Sequence, residues 1–479
     1  MRTSSKMTNY RWVICAMLFF ATTVNYLDRQ VLSLTWPKFI GPEFGWTNDD
    51  YGNITAWFSI LYAVCMLFAG KFVDWLDTKK GFLWAIGIWS VGACLHAFCG
   101  IATSGILAGE WWVNFAEAKE IISHLDNGAQ IVSVSVILFI FARFVLALGE
   151  AGNFPAAIKA TAEYFPKKDR AFSTSIFNSG ATIGAMIAPA CILYIAEMWG
   201  WEATFIIIGL LGFVWMAFWT FIYKKPDNNK GVNALELAYI QQDHQTDNGV
   251  EIAEDSTKLS FMQCFRFRQT WAFAFGKFMT DGVWWFYLFW MPKYLQTVFN
   301  IEGTAQVLPL TVLYTIVMIS IYGGWLPSYF ISKKKMNPYA GRMRAMLIFA
   351  FFPLLALFAQ PLGGYSYWLP VVIIGIAAAA HQAWSANIFS TVGDMFPKTA
   401  IATITGIGGM AGGLGSFFIQ KSAGMLFDHA GKTNIRFLGF EGEPSGYFVI
   451  FIFCAVAYLI GWIVMKALVP KYKPITGIS

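Results

Sequence analysis

Twelve apolar runs, each about 20 residues long, follow one another along the chain with mostly short polar stretches between them. A helix of that length spans the hydrocarbon core of a bilayer, and lipid forces each segment to satisfy its own backbone hydrogen bonds. The runs therefore predict an all-α membrane protein. We place its twelve transmembrane helices at residues 12–35, 50–73, 81–102, 131–153, 171–194, 201–223, 270–297, 305–331, 343–361, 366–390, 399–424 and 446–468.

The composition agrees with a bilayer as the main solvent. Hydrophobic residues make up 57% of the chain, and charged residues make up 13%, about half the usual share of a soluble domain. The cysteine count is odd and six of the seven lie in or near apolar runs, which indicates neither a disulfide framework nor a metal site. The first run is longer than the apolar core of a secretion signal, so we interpret it as a transmembrane helix.

Basic residues cluster in alternate loops, which is the pattern of cytoplasmic loops. One side carries Arg2, Lys6, Arg11, Lys79, Lys80, Lys167, Lys168, Arg170, Lys224, Lys225, Lys230, Arg266, Arg268, Lys333, Lys334, Lys335, Arg342, Arg344, Lys398, Lys466, Lys471 and Lys473. The other side carries only Lys38, Lys119, Lys293, Lys432 and Arg436. We therefore expect both termini in the cytoplasm. This distribution accounts for the net charge of +6 without a nucleic-acid partner.

The longest polar stretch divides the chain into two groups of six transmembrane helices. We expect an N-terminal bundle at 1–223, a cytoplasmic linker at 224–268 and a C-terminal bundle at 269–479. We interpret the linker, which includes an acidic patch at Glu251, Glu254 and Asp255, as a tether. A second insert, at about 103–130 on the outer side, predicts an amphipathic helix on the membrane surface or an extension of the third helix.

The first helix contains an acid and a base side by side, in the pentapeptide from Asn25 to Arg29. A charge at the centre of a transmembrane helix costs about 2.5–3.5 kcal/mol, and such residues usually mark a substrate or ion path. The carboxyl group of Asp28 is a candidate proton carrier, and the guanidinium of Arg29 matches a carboxylate in charge and shape. Asn25 is a candidate substrate contact on the same segment. The segment therefore predicts a transporter.

The fourth helix contains a second acid–base set. Arg143 and Glu150 are seven residues apart, nearly two helical turns, so they share a face. Glu150 joins Asp28 as a candidate proton carrier, and Arg143 joins Arg29 as a candidate anion contact. A substrate anion that engages an arginine would favour protonation of the neighbouring acid, which is the logic of symport. The alternative is a buried ion pair that only orients the helices.

Three other helices add candidate contacts in the membrane. In the seventh helix, Lys277 and Asp281 either neutralise each other one turn apart, or Lys277 contacts the substrate beside Trp284. In the tenth helix, His381, Gln382 and Asn387 suit substrate hydroxyl groups, or else they bond between helices. Tyr62 in the second helix is a candidate hydroxyl contact or a packing residue. At the end of that helix, Gly70 and Asp74 are candidate gating residues, although charge there also suits a solvated loop.

Several kinds of chemistry have no motif in this chain. We find no phosphate-binding glycine loop, no metal-ligand cluster and no nucleophile–base arrangement. These absences argue against an enzyme, a cofactor and transport driven by ATP.

These features together resemble the major facilitator superfamily, and more specifically the hexuronate transporters of its anion:cation symporter family. The resemblance rests on residues 25–29, 143–155 (RFVLALGEAGNFP), 176–189 (IFNSGATIGAMIAP), 276–294 (GKFMTDGVWWFYLFWMPKY) and the helix with His381 and Gln382. It implies the major facilitator fold and proton-driven uptake of organic acids by alternating access, in a bacterial inner membrane. It supports Asp28 and Glu150 in coupling and Arg29 and Arg143 in the cavity, with a looser match at Lys277, His381 and Gln382.

We therefore expect a monomeric secondary transporter that carries a sugar acid, such as glucuronate or galacturonate, together with protons. Its partners would be a small carboxylate, protons and the bilayer. The alternatives are symport of another organic acid, such as an aldonate or aldarate, and exchange of organic anions or sugar phosphates. An exchanger would not require the two membrane carboxyl groups.

Overall fold

The computed structural model describes residues 6–242 and 261–475, which are almost entirely helical. The N-terminal half contains helices α1 (Tyr10–Thr35), α2 (Gly41–Phe44), α3 (Asn48–Leu76), α4 (Thr78–Ala97), α5 (Cys99–Ala108), α6 (Phe115–Ser123), α7 (Gly128–Glu150), α8 (Asn153–Tyr164), α9 (Lys167–Ile222) and α10 (Ala234–Ile240). The C-terminal half contains α11 (Phe261–Cys264), α12 (Arg268–Phe299), α13 (Val307–Val317), α14 (Trp325–Ser332), α15 (Pro338–Phe351), α16 (Ala359–Gly363), α17 (Trp368–Met395), α18 (Lys398–Thr433) and α19 (Glu443–Leu468).

Short irregular pieces complete the architecture. A π-helix follows α1, and four 3₁₀ segments occur at Pro226–Asn228, Gly303–Gln306, Met318–Gly324 and Phe352–Phe358. Two of these segments join neighbouring helices into one membrane crossing, α13 with α14 and α15 with α16. Strands β1 (Arg436–Phe437) and β2 (Phe440–Glu441) pair antiparallel in a small hairpin.

The described residues contain the twelve membrane crossings that the sequence predicts. Seven helical segments are long and apolar enough to cross a membrane, and α4 with α5, bent by 53°, makes another. The segment that contains α9 makes two crossings, because Gly200 adopts φ 88° and ψ 165° and breaks the helix there. Helices α1, α12 and α18 are also long enough to cross but more polar, and α1 and α12 contain the acid–base pairs.

Local sequence explains where several helices begin. Thr47 caps α3 by accepting from the backbone N–H of Asp50, whose side chain in turn accepts from the backbone of Thr47. Asp77 caps α4 with its carboxylate, which accepts from the N–H of the next residue, Thr78. Gly45 ends α2 with φ 72°, a conformation that favours glycine. These caps fix the loops at which the chain reverses direction.

The twelve crossings create two faces. We call the face with residues 6–9, 223–242, 261–267 and 469–475 the terminal face, because the first and last described residues both lie there. The opposite face, with residues 45–47, 109–127, 300–302 and 434–442, is the distal face. An even number of crossings places both termini on the same side, as the sequence predicts.

Glycines allow the closest helix contacts. A Cβ at Gly180 or Gly184 of α9 would lie only 2.5–2.6 Å from backbone oxygens of α1. A Cβ at Gly413 of α18 would lie 2.3 Å from the Cβ of Ala63 in α3, so glycine also permits close contact between the two halves. The glycine-rich fifth helix therefore packs closely against α1, and the glycine-rich eleventh helix packs closely against α3 of the other half.

The insert at 103–130 forms α5 and α6 on the distal face. Helix α5 extends the third crossing to Ala108, as one of the two alternatives predicts. Helix α6 is a separate element that packs against α5 and α2. Its Lys119 forms an ion pair with Glu43 at 2.8 Å, and Glu43 also accepts from the indole of Trp201 at 2.8 Å. The insert is therefore attached to the bundle by polar contacts.

The first part of the linker packs against the N-terminal half. Glu236 of α10 is fully buried and accepts from the backbone N–H groups of Tyr10 and Arg11 at 3.0 and 3.1 Å. It also forms an ion pair with the guanidinium of Arg11 at 3.0 Å. The interpretation of the linker as a simple tether therefore does not apply to 226–242. The acidic patch at Glu251, Glu254 and Asp255 lies outside the described residues.

Candidate functional site

An ion pair between α1 and α7 lies at the centre of the candidate site. The Nη2 of Arg29 lies 2.6 Å from Oε2 of Glu150, and Nε of Arg29 donates to the same oxygen at 3.0 Å. Both side chains are almost completely buried. The sequence placed Glu150 on one face with Arg143, but the structure gives it Arg29, from the other acid–base set, as its partner. The two sets that sequence analysis found separately therefore form one site.

Four aromatic rings surround the guanidinium of Arg29. Its Cζ lies 4.8 Å from the ring centre of Tyr62 and 4.7 Å from that of Trp285. The rings of Tyr26 and Phe58 lie at 5.1 and 5.8 Å. Such contacts stabilise a desolvated cation. Trp285 belongs to the C-terminal half, so the Arg29 cluster spans the boundary between the halves.

Arg143 is buried without a full set of hydrogen bonds. It is 2% exposed, and among the described residues neither its Nε nor its Nη1 has a partner. The guanidinium lies over the ring of Phe58 at 5.1 Å, beside the Arg29 cluster. A buried cation with free N–H groups is costly, so an anion that accepts from those groups would be held strongly.

Asp28 has neither of its carboxylate oxygens hydrogen-bonded among the described residues, and it is 2% exposed. The amide nitrogen of Asn25, one turn earlier, is also unpartnered, as are both polar atoms of Asn153 in α8. The sequence analysis did not name Asn153, which begins α8 three residues after Glu150.

The C-terminal half contributes an acid–base pair from α12. The Nζ of Lys277 lies 2.7 Å from Oδ2 of Asp281 and 4.2 Å from the ring centre of Phe389. This is the mutual pairing that the sequence gave as one alternative for Lys277. The other oxygen of Asp281, Oδ1, has no partner among the described residues.

The candidates of α17 mainly join helices. The Nδ1 of His381 lies 2.8 Å from the hydroxyl of Tyr458, and the imidazole stacks on Trp284 at 5.6 Å. Asn387 donates to the carbonyl oxygens of Gly323 and Ala383. These contacts agree with the interhelical alternative for His381 and Asn387.

Two further α12 and α17 candidates differ in their surroundings. Gln382 is half-buried, unlike its neighbour His381. Trp284 packs within its own half, whereas the adjacent Trp285 contacts Arg29. The sequence analysis named Trp284 as a candidate contact beside Lys277, and the structure places its neighbour Trp285 against Arg29, because adjacent residues in a helix point about 100° apart.

The candidate gate at the terminal face is a set of exposed ion pairs. Asp74 lies 3.0 Å from Lys159 of α8, while a Cβ at Gly70 would meet nothing within 4 Å. Asp77 lies 3.2 Å from Lys225. Partial burial raises the pKa of Asp77, but the N–H of Thr78 and the charge of Lys225 outweigh burial, so this pKa lies below its ordinary value.

At the distal face, the C-terminal half caps a helix of the N-terminal half. One carboxylate oxygen of Asp428 accepts from the backbone and side-chain N–H groups of Asn48, both at 3.0 Å. The other oxygen accepts from the N–H of Asp49 at 2.9 Å, and Lys421 pairs with Asp49 at 2.8 Å. The positive end of α3 attracts the carboxylate of Asp428, which strengthens this contact between the halves.

A second polar cluster joins the halves at the same face. Glu197 of α9 accepts from Lys38 at 2.8 Å and from the backbone N–H and hydroxyl of Thr304, both at 3.0 Å. The hydrogen bond from Lys38, with those from Thr304, lowers the pKa of Glu197 and outweighs burial. In the described residues, the hydrogen bonds between the halves lie between mid-membrane and the distal face. The structure therefore shows the halves closed together at that face.

No group of three or more histidine, cysteine, aspartate or glutamate side chains in residues 6–242 and 261–475 could hold a metal ion.

Comparison with known proteins finds similarity to membrane transporters along most of the chain. The family model described as the Major Facilitator Superfamily matches residues 18–419. The hexuronate transporter of Escherichia coli (strain K12) is 28% identical over 96% of this chain and 95% of its own. The galacturonate transporter of Dickeya chrysanthemi is 25% identical over 69% of this chain and 86% of its own.

A solved structure shows the same fold. It is a bacterial homologue of the human lysosomal transporter Spinster in an inward-facing, unoccupied conformation. It has a TM-score of 0.69 and 17% identity, and the match covers 99% of this chain and 100% of that one.

Proposed function

The chain belongs to the major facilitator superfamily, and from that premise we propose that it is a proton-coupled symporter of a hexuronate such as glucuronate or galacturonate. Its homologues are named transporters, so the chain is a multi-pass membrane transporter and not an enzyme. They are bacterial, which is consistent with an inner-membrane location. The specific substrate and its coupling to protons are the parts that we propose.

One observation carries this proposal. Asp28, an acid with no hydrogen-bonding partner among the described residues, is next in sequence to Arg29, which holds Glu150 and contacts rings of both halves. Arg143 supplies further guanidinium N–H groups that lack partners in the part of the chain that the structure describes. The site therefore combines a proton acceptor, a group that binds anions, and an ion pair, Arg29 with Glu150, in which a substrate anion can compete for the arginine.

We infer a sequence of events from these contacts. A carboxylate substrate engages the free N–H groups of Arg143 and competes with Glu150 for Arg29. Release of Glu150 from Arg29 favours its protonation, because a carboxylate buried without its cation is costly. Proton and substrate therefore favour each other's binding, and the halves rearrange around the loaded site.

We also propose that the terminal face is cytoplasmic. The described basic residues of that face include Lys79, Lys224, Lys225, Arg266 and Lys471, as expected for cytoplasmic loops. With the halves in contact at the distal face, the structure then corresponds to a carrier that is closed toward the outside.

Uptake of radiolabelled glucuronate and galacturonate into proteoliposomes tests the function. We expect accumulation that requires an inward proton gradient in the wild type and is lost in Glu150→Gln. Asp394→Asn is a matched control, because Asp394 forms a 2.6 Å ion pair with Arg342 at the terminal face, away from the site. Equal uptake with and without the gradient would contradict symport and support exchange, which counter-flow with internal substrate would then measure.

A further inference from the structure

We propose that Asp281 makes the site selective for sugar acids with a single carboxylate. In this role it accepts hydrogen bonds from the hydroxyl groups of the substrate and repels a second carboxylate. The inference deepens the proposed function and rests on it, because it assigns the far end of a hexuronate to the C-terminal half.

The position of Asp281 on α12 places it close to the residue that contacts Arg29. Residues 277, 281, 285 and 289 are four apart and lie along one stripe of the helix. Two members of this stripe contact the N-terminal half: the ring of Trp285 lies 4.7 Å from the guanidinium of Arg29, and the carbonyl of Phe289 accepts from the hydroxyl of Tyr51 at 3.0 Å. Asp281 is therefore one turn, about 6 Å along the axis, from the residue that meets Arg29.

The surroundings of Asp281 leave one of its two carboxylate oxygens available to a ligand. Its Oδ2 is held by Lys277 at 2.7 Å, while Oδ1 has no partner among the described residues, and the side chain is 15% exposed. Gly412 of α18 leaves room for this carboxylate, because a Cβ there would lie 2.2 Å from Oδ2. An acceptor oxygen without a donor therefore lies next to the anion site.

The two ends of the site differ in the positive charge that is available to a substrate. In the N-terminal half, Arg143 has N–H groups without partners in residues 6–242 and 261–475, so that end takes a carboxylate. In the C-terminal half, the cation Lys277 is already neutralised by Asp281, so that end has no spare positive charge. A second carboxylate there would face the carboxylate of Asp281 in a poorly screened environment. A hydroxyl group would donate to Oδ1 and satisfy it.

Competition between a hexuronate and a hexarate tests this assignment. The two substrates are glucuronate, with one carboxylate, and glucarate, with a carboxylate at each end. The variant is Asp281→Asn, which keeps an acceptor oxygen, removes the negative charge and leaves Lys277 free for a second carboxylate. Asp281→Ser is a second neutral variant of different size, in case the asparagine does not fold. Asp394→Asn is again the matched control.

We expect the ratio of glucarate to glucuronate uptake to rise about tenfold or more in both neutral variants, because glucarate gains the freed Lys277 while glucuronate loses a hydrogen-bond acceptor. The control should keep the ratio of the wild type. An unchanged ratio in folded variants that still take up glucuronate would overturn the role of Asp281. A wild type that takes up glucarate as well as glucuronate would overturn it too. Absence of both glucuronate and galacturonate uptake by the wild type would overturn the proposed function and this inference together.

Discussion

Two neighbouring tryptophans show how a single residue determines the chemistry of the site. Trp284 stacks on His381 and is 7% exposed, whereas Trp285 contacts Arg29 across the boundary between the halves. We expect Trp284→Ala to reduce stability by about 3–5 kcal/mol, because it removes a buried aromatic side chain. We expect Trp285→Ala to reduce uptake with a smaller loss of stability. Thermal unfolding in detergent and proteoliposome uptake, measured on both variants, check this contrast, and the reverse pattern would refute it.

Arg143 is predicted to bind the substrate through the shape of its guanidinium as well as its charge. Lysine keeps the charge but cannot form two parallel hydrogen bonds with a carboxylate. We expect Arg143→Lys to raise the KM for hexuronate uptake by about tenfold, equivalent to about 1.4 kcal/mol. Arg344→Lys is the control, since Arg344 is exposed at the terminal face. If both variants have the KM of the wild type, Arg143 is not the anion contact.

At the scale of elements, close contact between α3 and α18 depends on glycine at particular positions. A Cβ at Gly413 would lie 2.3 Å from the Cβ of Ala63 and 2.9 Å from the oxygen of Ser59, whereas a Cβ at Gly409 would meet nothing within 4 Å. We expect Gly413→Leu to separate the two helices and Gly409→Leu to leave them unchanged. Double electron–electron resonance between spin labels at the distal ends of α3 and α18 measures the separation of the two helices. Equal distances in both variants would contradict the packing argument.

At the scale of the whole molecule, closure of the distal face depends on carboxylates that bond across the two halves. Asp428 accepts three hydrogen bonds from the start of α3. We expect Asp428→Asn to shift the equilibrium toward molecules that are open at the distal face, because it removes the charge that the positive end of α3 stabilises. Asp126→Asn, a change on the same face in the loop before α7, is the control. The same distance measurement reports the shift, and an unchanged distribution would exclude Asp428 from the closure.

The second distal cluster should make closure sensitive to acid. The pKa of Glu197 lies below its ordinary value, because Lys38 and Thr304 bond to the carboxylate. Its contribution to closure is therefore complete above the ordinary value of about 4.3 and is lost as the pH falls through the lowered pKa. We expect the open fraction to increase only on the acidic side of that value, and the increase to be absent in Glu197→Gln. An equal acid response in Glu197→Gln would assign it to another group.

The sequence by itself determined the twelve crossings, because the apolar length of each run and the need to satisfy backbone hydrogen bonds in lipid are local properties. It also indicated Asp28, Arg29, Arg143 and Glu150, because a charge within an apolar run is visible without any knowledge of its neighbours. The sequence also separated the helix at 171–194 from the helix at 201–223, and the structure places the break between them at Gly200.

Only the tertiary structure decided which charges meet. Arg29 rather than Arg143 holds Glu150, and Trp285 rather than Trp284 contacts Arg29. The helical period relates residues within one helix, but the rotation and depth of a helix against its neighbours depend on contacts across the whole bundle. The capping of α3 by Asp428 likewise joins residues 380 positions apart, and no local pattern encodes that contact.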